Sequence, residues 1–372
     1  MVIRELAALD FRNYAELRIS FGEHIHVLAG ENGQGKSNLV EAIYFLLHLD
    51  SFRTHDWQQL VRQGATRAQI QGQIQSADAK DKIRVEVSRK GRRVWWNDEP
   101  VLRLSAYVSR SFALVFNPDT LYLYRHVPGE RRLFYNRFLS FLDPAYVREL
   151  IAFRQIHAQK NRLLRGGDLA GLDAWNRLFA ERSRAIMTQR SGFVDALNLA
   201  LPGLFTALTG RTENVRLHYR PSLKGEPEQI ARQLAEAREQ EVRLGHAVLG
   251  PHRDDYRLAM HGAQDSAAGA LPSEQEGGAL RREAHFSQGE YRAALLALTL
   301  VLDRFLEQRK GFRPIVILDD ALSELDARVR EAVAAHLLGM PNQIFITTTA
   351  RLDPFQAAGA RIMEIRAGQV VS

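Results

Sequence analysis

The chain has 372 residues, 45% of them hydrophobic and 25% charged, with a formal charge of +7 and a pI of about 9.7. That length allows a large buried core and two domains. With no cysteine, disulfides, cysteine-based zinc sites and thiol catalysis are excluded.

The N-terminus enters a strand pattern at once, with no signal-peptide core, and no apolar run reads as long enough to span a bilayer. The expectation is a cytoplasmic protein with no membrane partner. Strands are expected over 2–9 and 16–21, forming a hairpin that turns at Arg12-Asn13-Tyr14. Residues 24–29 read as a short buried strand. Next comes Gly30-Glu31-Asn32-Gly33-Gln34-Gly35-Lys36-Ser37, which fits the phosphate-loop pattern G-x-x-x-x-G-K-[ST]. Residues 38–47 carry apolar side chains at helical spacing. Strand, glycine loop and helix form the context the motif needs. The loop glycines turn backbone N–H groups toward a phosphate, and the helix N-terminus adds partial positive charge. Lys36 reaches the outer phosphates and Ser37 is a Mg²⁺ ligand.

Further strands are expected over 68–75, 82–88 and 92–96. From 143 to 201 the pattern is helical, broken at Gly166-Gly167-Asp168 into a short αα-hairpin. Leu172, Phe179, Ile186 and Phe193 recur at seven-residue spacing in its second helix. Arms of roughly 20–25 residues span about 30–38 Å, a stub and not a long coiled coil. Residues 221–227 read as a loop, 229–244 as one polar helix and 262–278 as a flexible surface loop. Helices over 291–305 and 329–338 then alternate with strands over 314–318 and 343–349.

The first of these strand segments ends in Leu318-Asp319-Asp320. In a phosphate-loop ATPase such a strand lies beside the one feeding the loop. Its first acid, here Asp319, holds Mg²⁺, and the second, Asp320, polarises the attacking water. Ser287-Gln288-Gly289 opens an apolar helix; taken alone, Ser287 is a plain helix cap. Ser323-Glu324-Leu325-Asp326 is another helix start. Phosphate loop, S-x-G helix, apolar-Asp-Asp strand and S-x-L-D follow the order of an ABC-type ATPase head.

In such heads Ser287 and Gly289 would complete the nucleotide site of a second subunit, with Asp326 at the interface. Thr347 or Thr348 would stand near the γ-phosphate, where many ABC proteins place His. Lys36 and Ser287 are far apart in sequence, so an insert divides the head. The expected fold class is α/β: an ABC-type phosphate-loop head of mixed β-sheet and helices, carrying an inserted, mainly helical arm with the αα-hairpin. The expected domains are 1–115 with 248–372 (head) and 116–247 (arm).

Several strings, in order, carry a closer resemblance. They are Leu9-Asp10-Phe11-Arg12-Asn13-Tyr14, Gly30 to Asn38, Glu41-Ala42-Ile43-Tyr44, Ser51-Phe52-Arg53-Thr54, Val115-Phe116-Asn117-Pro118-Asp119, Gly250-Pro251-His252-Arg253-Asp254-Asp255 and the acidic segment from Leu318 to Asp326. The chain resembles the RecF family of bacterial recombination-mediator ATPases, nearly end to end. The resemblance adds Arg12, Asn32 and Asn38 to the nucleotide-binding set, which otherwise comprises Gly30, Gly33, Gly35, Lys36, Ser37, Ser287, Gly289, Asp326 and Thr347. It makes Lys36 and Asp320 catalytic, and Ser37 and Asp319 the Mg²⁺ ligands. It implies an ATP-dependent homodimer at junctions of single- and double-stranded DNA in gaps, acting with RecR and RecO to load RecA, with weak, DNA-stimulated hydrolysis as the reset. The serine signature reads S-Q-G-E, where the family more often has a second Gln; Asn117 is the candidate Q-loop residue. The alternatives are a transporter ATPase subunit, against which the long insert counts, and a chromosome-structure SMC-like head, against which the short arm counts.

Seven Lys and 43 Arg make up the basic residues, and arginine forks suit phosphate. Residues 125–165 hold nine basic residues against three acids, six of the seven net charges. The DNA-contact candidates there are Arg131, Arg132, Arg137, Arg148, Arg154 and Lys160. A second set, Arg89, Lys90, Arg92 and Arg93, lies beside Trp95-Trp96 on an expected hairpin. No base-reading motif is present.

Overall fold

A computed structural model describes residues 1–76, 79–102, 107, 111–117, 124–167, 169–261, 286–323, 325–349 and 353–371. The expected surface loop 262–278 and Glu324 of the S-E-L-D string lie outside the described residues. The chain forms two compact units: 1–122, 204–211 and 287–372 make the first, and 123–203 with 212–286 the second.

The first unit has two sheets. One is antiparallel and ordered β2-β1-β4-β5-β6-β7: β1 Val2–Phe11, β2 Tyr14–Ser20, β4 Arg67–Gln75, β5 Lys80–Ser88, β6 Gly91–Trp96 and β7 Glu99–Pro100. The other is ordered β14-β13-β3-β12-β11-β8, with β3 Ile25–Ala29, β8 Ala113–Phe116, β11 Ile315–Asp319, β12 Ile344–Thr348, β13 Arg361–Arg366 and β14 Gln369–Val371. The strands from β13 to β8 in this order pair in parallel; β14 is antiparallel.

Helix α1, Lys36–His48, packs in the core between side chains of both sheets. Phe45 and Leu46 are fully buried with Ile3, Ile70 and Val85 from one sheet and Ile315 and Phe345 from the other. Contact on both sides explains why α1 is apolar all round and not striped. Each such side chain contributes about 1.5–3 kcal/mol by burial. One expectation is corrected here: β11 is not next to β3, because β12 lies between them.

In the second unit, Asp143 leaves the helical conformation, caps Ala145 N at 2.8 Å and separates α2, Pro128–Leu142, from α3, Pro144–Gly166. Sequence periodicity had missed α2. Gly167 ends α3 in the left-handed region, and α4, Leu172–Asn198, returns alongside. The four heptad residues Leu172, Phe179, Ile186 and Phe193 are all buried. Helix α5 spans Leu201–Thr209 and β9 Asn214–Arg220. The expected polar helix is two, α6 Pro227–Glu236 and α7 Arg238–Leu244, meeting at Ala237.

The expected boundary at 248 is displaced for a physical reason. β10, Asp255–His261, pairs along its whole length with β9, so residues up to 261 belong with the arm. Conversely, 204–211 packs with the first unit. Within Leu172–Thr209 an 18-residue window has a mean hydropathy of 1.3, apolar and long enough to cross a membrane by composition alone, contrary to expectation. Its apolar side chains Phe193, Val194, Leu197, Leu201, Phe205 and Leu208 are buried in the protein. The remaining helices, α8 Gln288–Lys310, α9 Ala327–Leu338 and α10 Asp353–Ala357, return to the first unit.

Candidate functional site

Three parallel strands end on one edge. β12 pairs Thr347 with Leu28 and Thr348 with Ala29 of β3, and β11 pairs Asp319 with Thr347. Gly30, Thr347 and Asp319 therefore emerge together at the carboxyl ends of the strands, where open α/β sheets bind ligands.

The loop between β3 and α1 is braced from outside. Tyr14 donates to Gly35 O at 2.9 Å, Gly368 N to Gln34 O at 2.9 Å and Ala367 N to Gln34 Oε1 at 2.6 Å. Gly35 caps α1 with φ 113°, and a Cβ there would sit 2.8 Å from Asn13 Nδ2. Only glycine meets both demands. Asn32 and Gly33 form the exposed tip. Lys36 is buried, its ammonium donating to Gly30 O and Glu31 O at 2.7 Å each, so it lies within the curl of the loop. Burial lowers its pKa, while Asp320 and Asp319 act in the opposite direction.

Ser37 Oγ donates to Asp319 Oδ1 at 2.8 Å, and Thr347 Oγ1 donates to the same oxygen at 2.6 Å. The two halves of the motif, distant in sequence, thus touch directly. Burial raises the Asp319 pKa against these two hydrogen bonds. Asp320 N donates to Thr347 Oγ1 at 2.9 Å, and Asp320 itself has φ 52°, in the left-handed region just past β11. Asn117 follows β8 one step past the Phe116–Leu318 pair, level with Asp319.

A shell that the sequence reading did not connect to Glu41 surrounds that residue. This carboxylate is fully buried on α1. Arg12 grips it with two bonds of 2.8 and 2.6 Å, Ser51 Oγ donates at 2.5 Å, and Arg53 stands at 3.5 Å. Arg53 also donates to Asn38 Oδ1 at 2.7 Å, and Asn38 donates to Asn13 Oδ1 at 2.7 Å. Arg12, expected to touch nucleotide, here neutralises Glu41. A lone acid within the apolar pattern 39–47 was the available signal, since a buried carboxylate demands cationic partners.

Ser287 and Asp326 both cap helices. Ser287 Oγ accepts from Glu290 N at 3.2 Å, while Glu290 Oε2 accepts from Ser287 N at 2.7 Å. Asp326 accepts from Val329 N at 2.9 Å at the start of α9. Ser287, Gly289 and Asp326 are exposed.

Among the DNA candidates, two are internal. Arg131 is buried and forks onto Asp255 at 2.7 and 2.8 Å; Lys160 pairs with Glu241 at 2.8 Å, both fully buried. They serve the arm's core and cannot reach phosphate. Arg132 donates to Asp254 O at 2.8 Å, and Arg137 is half-buried. Arg92 lies over Trp57 at 4.5 Å and bonds to Leu49 O, which makes it a packing residue. Trp96 bonds to Asp81 at 2.9 Å and packs on Tyr107, whereas Trp95 lies under Arg84 at 4.2 Å. Arg89, Lys90 and Arg93 are exposed. So are Arg148, Arg154, Arg162 and Arg165 on α3; at 3.6 residues per turn they lie within about 120° of one another. Among the described residues no cluster of three or more His, Asp or Glu could hold a metal.

The sequence profile of the RecF/RecN/SMC N terminal domain matches residues 2–369. The DNA replication and repair protein RecF of Lactobacillus delbrueckii subsp. bulgaricus is 32% identical, over 100% of this chain and 97% of its own length. The solved structure of the recombination mediator protein RecF with ATP superposes with a TM-score of 0.84 at 23% identity, over 99% of this chain and 96% of that one. An SMC head bound to the C-terminal winged-helix domain of ScpA superposes at 0.58 with 18% identity, over 100% and 97%.

Proposed function

The chain belongs to the RecF family of DNA replication and repair proteins, and from that premise we propose that it is an ATP-driven clamp of recombinational repair whose two nucleotide sites are each shared between two copies. As a family member it is an ATP-binding recombination mediator of the ABC/SMC class. The Ser37–Asp319–Thr347 contact carries the nucleotide reading, because it joins the phosphate loop to the acidic strand without any ligand.

The donors fit ATP with Mg²⁺. Ser37 and Asp319 offer adjacent hard oxygens, and a magnesium site needs only one or two protein ligands beside phosphate and water. Bound there, the ion would supply charge neutralisation between the β- and γ-phosphates. Lys36 exchanges its two loop carbonyls for phosphate oxygens. Asp320, in the left-handed bend just past β11, orients the attacking water, and Thr347 fixes both acids. Ser287 and Gly289, exposed at a helix start, face the second copy's nucleotide, with Asp326 beside them.

Hydrolysis is weak, stimulated by DNA, and dissolves the dimer. The DNA is gapped, with a single-strand/double-strand junction; RecR, RecO and RecA are the partners, and the setting is the cytoplasm. The arginines Arg148, Arg154, Arg162 and Arg165 of α3 form a backbone-binding face on the second unit, and Arg89, Lys90 and Arg93 are a separate set of DNA contacts on the first. Neutralising about four phosphates through α3 gives a log K against log salt slope near −3.6.

Sedimentation with ATP and gapped DNA tests the whole reading. Wild type dimerises only with ATP; Lys36→Met fails to bind nucleotide; Ser287→Arg binds ATP yet stays monomeric. Normal dimerisation of Ser287→Arg would overturn the shared site.

A further inference from the structure

The segment 204–211 is the only part of the chain between α4 and β9 that packs with the first unit. Helix α5 ends there by a defined geometry. Gly210 N closes on Thr206 O at 2.7 Å, and Gly210 takes φ 70°. A Cβ on Gly210 would collide with the guanidinium of Arg328, the second residue of α9. The turn then projects Arg211, which forms an ion pair with Glu290 Oε1. One short segment thus touches the starts of both helices that carry Ser287 and Asp326.

Glu290 is the last residue of the S-Q-G-E string, and its position is a liability for a phosphate-facing helix. Its Oε2 accepts from Ser287 N and so builds the cap. Ser287 Oγ accepts from Glu290 N with one of its two lone pairs, and its hydroxyl proton remains able to donate outward. The same carboxylate places a full negative charge one helical turn from that donor, where an incoming triphosphate carries several more. Like charges at such range oppose association unless a cation intervenes.

Resting on the shared-site reading, we infer that Arg211 is the positioning residue of the serine half-site. It neutralises Glu290, keeps that side chain in its capping role and makes the Ser287 helix start acceptable to a polyanion supplied by the second copy. Arg211 itself has a side chain 43% exposed, against 16% for Glu290, so the pair is partly at the surface beside the Ser287 helix start.

The test is ATP-dependent dimerisation, measured by sedimentation for Arg211→Ala, Glu290→Gln, the double variant and Ser287→Arg. Affinity of the unpaired chain for a fluorescent ATP analogue reports that the phosphate loop remains folded. Arg211→Ala is expected to raise the dimer dissociation constant by about tenfold or more, an effect that weakens as salt rises. Glu290→Gln keeps the capping acceptor and removes the charge, so the double variant returns to within about threefold of wild type. A packing role for Arg211 would not be rescued in this way. Wild-type dimerisation of Arg211→Ala, or failure of Glu290→Gln to rescue it, overturns the inference when Ser287→Arg remains monomeric. If Ser287→Arg also dimerises, the shared site itself is at fault.

Discussion

Two buried carboxylates, one in each unit, show how similar chemistry serves different ends. In the first unit Glu41 is held by Arg12, Ser51 and Arg53, and this cluster continues through Asn38 to Asn13 beside the phosphate loop. In the second, Asp254 is held by Arg190 at 2.5 Å, by the Tyr219 hydroxyl and by Ser222 N at 2.9 Å. Arg190 also bonds to Tyr146, Asn136 and Pro251 O and is itself buried. The Glu41 cluster opens onto a site; the Asp254 cluster closes on itself. The string Gly250-Pro251-His252-Arg253-Asp254-Asp255 therefore contains an internal lock that ties β10 to α2 and α4.

The largest effect follows from breaking the lock. Asp254→Ala leaves Arg190 buried without its counter-charge and costs about 3–5 kcal/mol. Urea unfolding followed by tryptophan fluorescence should show this loss. ATP affinity under native conditions should stay near wild type, and a selective loss of ATP binding would mean that Asp254 acts in the site. Glu41→Gln should do the opposite. It keeps an acceptor for Arg12 but removes the charge, so stability falls by about 1–3 kcal/mol, while ATP affinity drops several-fold as Arg12 and Arg53 lose their anchor. Equal effects from both variants on the same readout would erase the distinction.

A third contrast lies within the first unit. Burial pushes the Asp303 carboxyl up to about 6, against a 2.7 Å bond from Asn342 that draws it down. Because the folded value exceeds the unfolded one, the folded chain holds the extra proton between pH 3.8 and about 6. That contribution is full below the window and lost as pH rises through it. Asp303→Asn should raise the melting temperature at pH 8, by at most about 3 kcal/mol of stability, and the gain should vanish near pH 4. A gain that does not change with pH would contradict the buried charge.

The smallest effect separates exposed from buried cations of α3. Arg154→Ala should reduce the magnitude of the DNA salt slope by about 0.9 with little change in stability. Lys160→Ala should leave the slope unchanged and lower stability, because Glu241 loses its partner. The reverse pattern would return Lys160 to the DNA face.

Most of the candidate nucleotide site was legible in the sequence because its parts are local. Gly30 to Ser37, Leu318 to Asp320 and the helix start at Ser287 each declare themselves within a few residues. Strand adjacency did not, since the insertion of β12 between β3 and β11 depends on which apolar strands share a layer, and periodicity is blind to that. The Glu41 shell was hidden for the same reason: Arg12 and Arg53 reach it from separate segments. Charge counting failed on Arg131 and Lys160 because their neutralising acids, Asp255 and Glu241, lie about a hundred residues downstream. The pairing of β9 with β10, which moves the arm boundary past 248, is likewise a long-range contact with no local signature.

On the proposed function, each nucleotide site takes its phosphate loop from one chain and Ser287 from another. Mixing Lys36→Met with Ser287→Arg tests it most directly. A heterodimer of the two has one intact site, formed by the loop of the Ser287→Arg chain and the serine of the Lys36→Met chain. Sedimentation with ATP should reveal dimers in the mixture, holding one nucleotide per pair, and none in either variant alone. A mixture no more dimeric than its components, or Ser287→Arg dimerising alone as wild type does, would contradict the account.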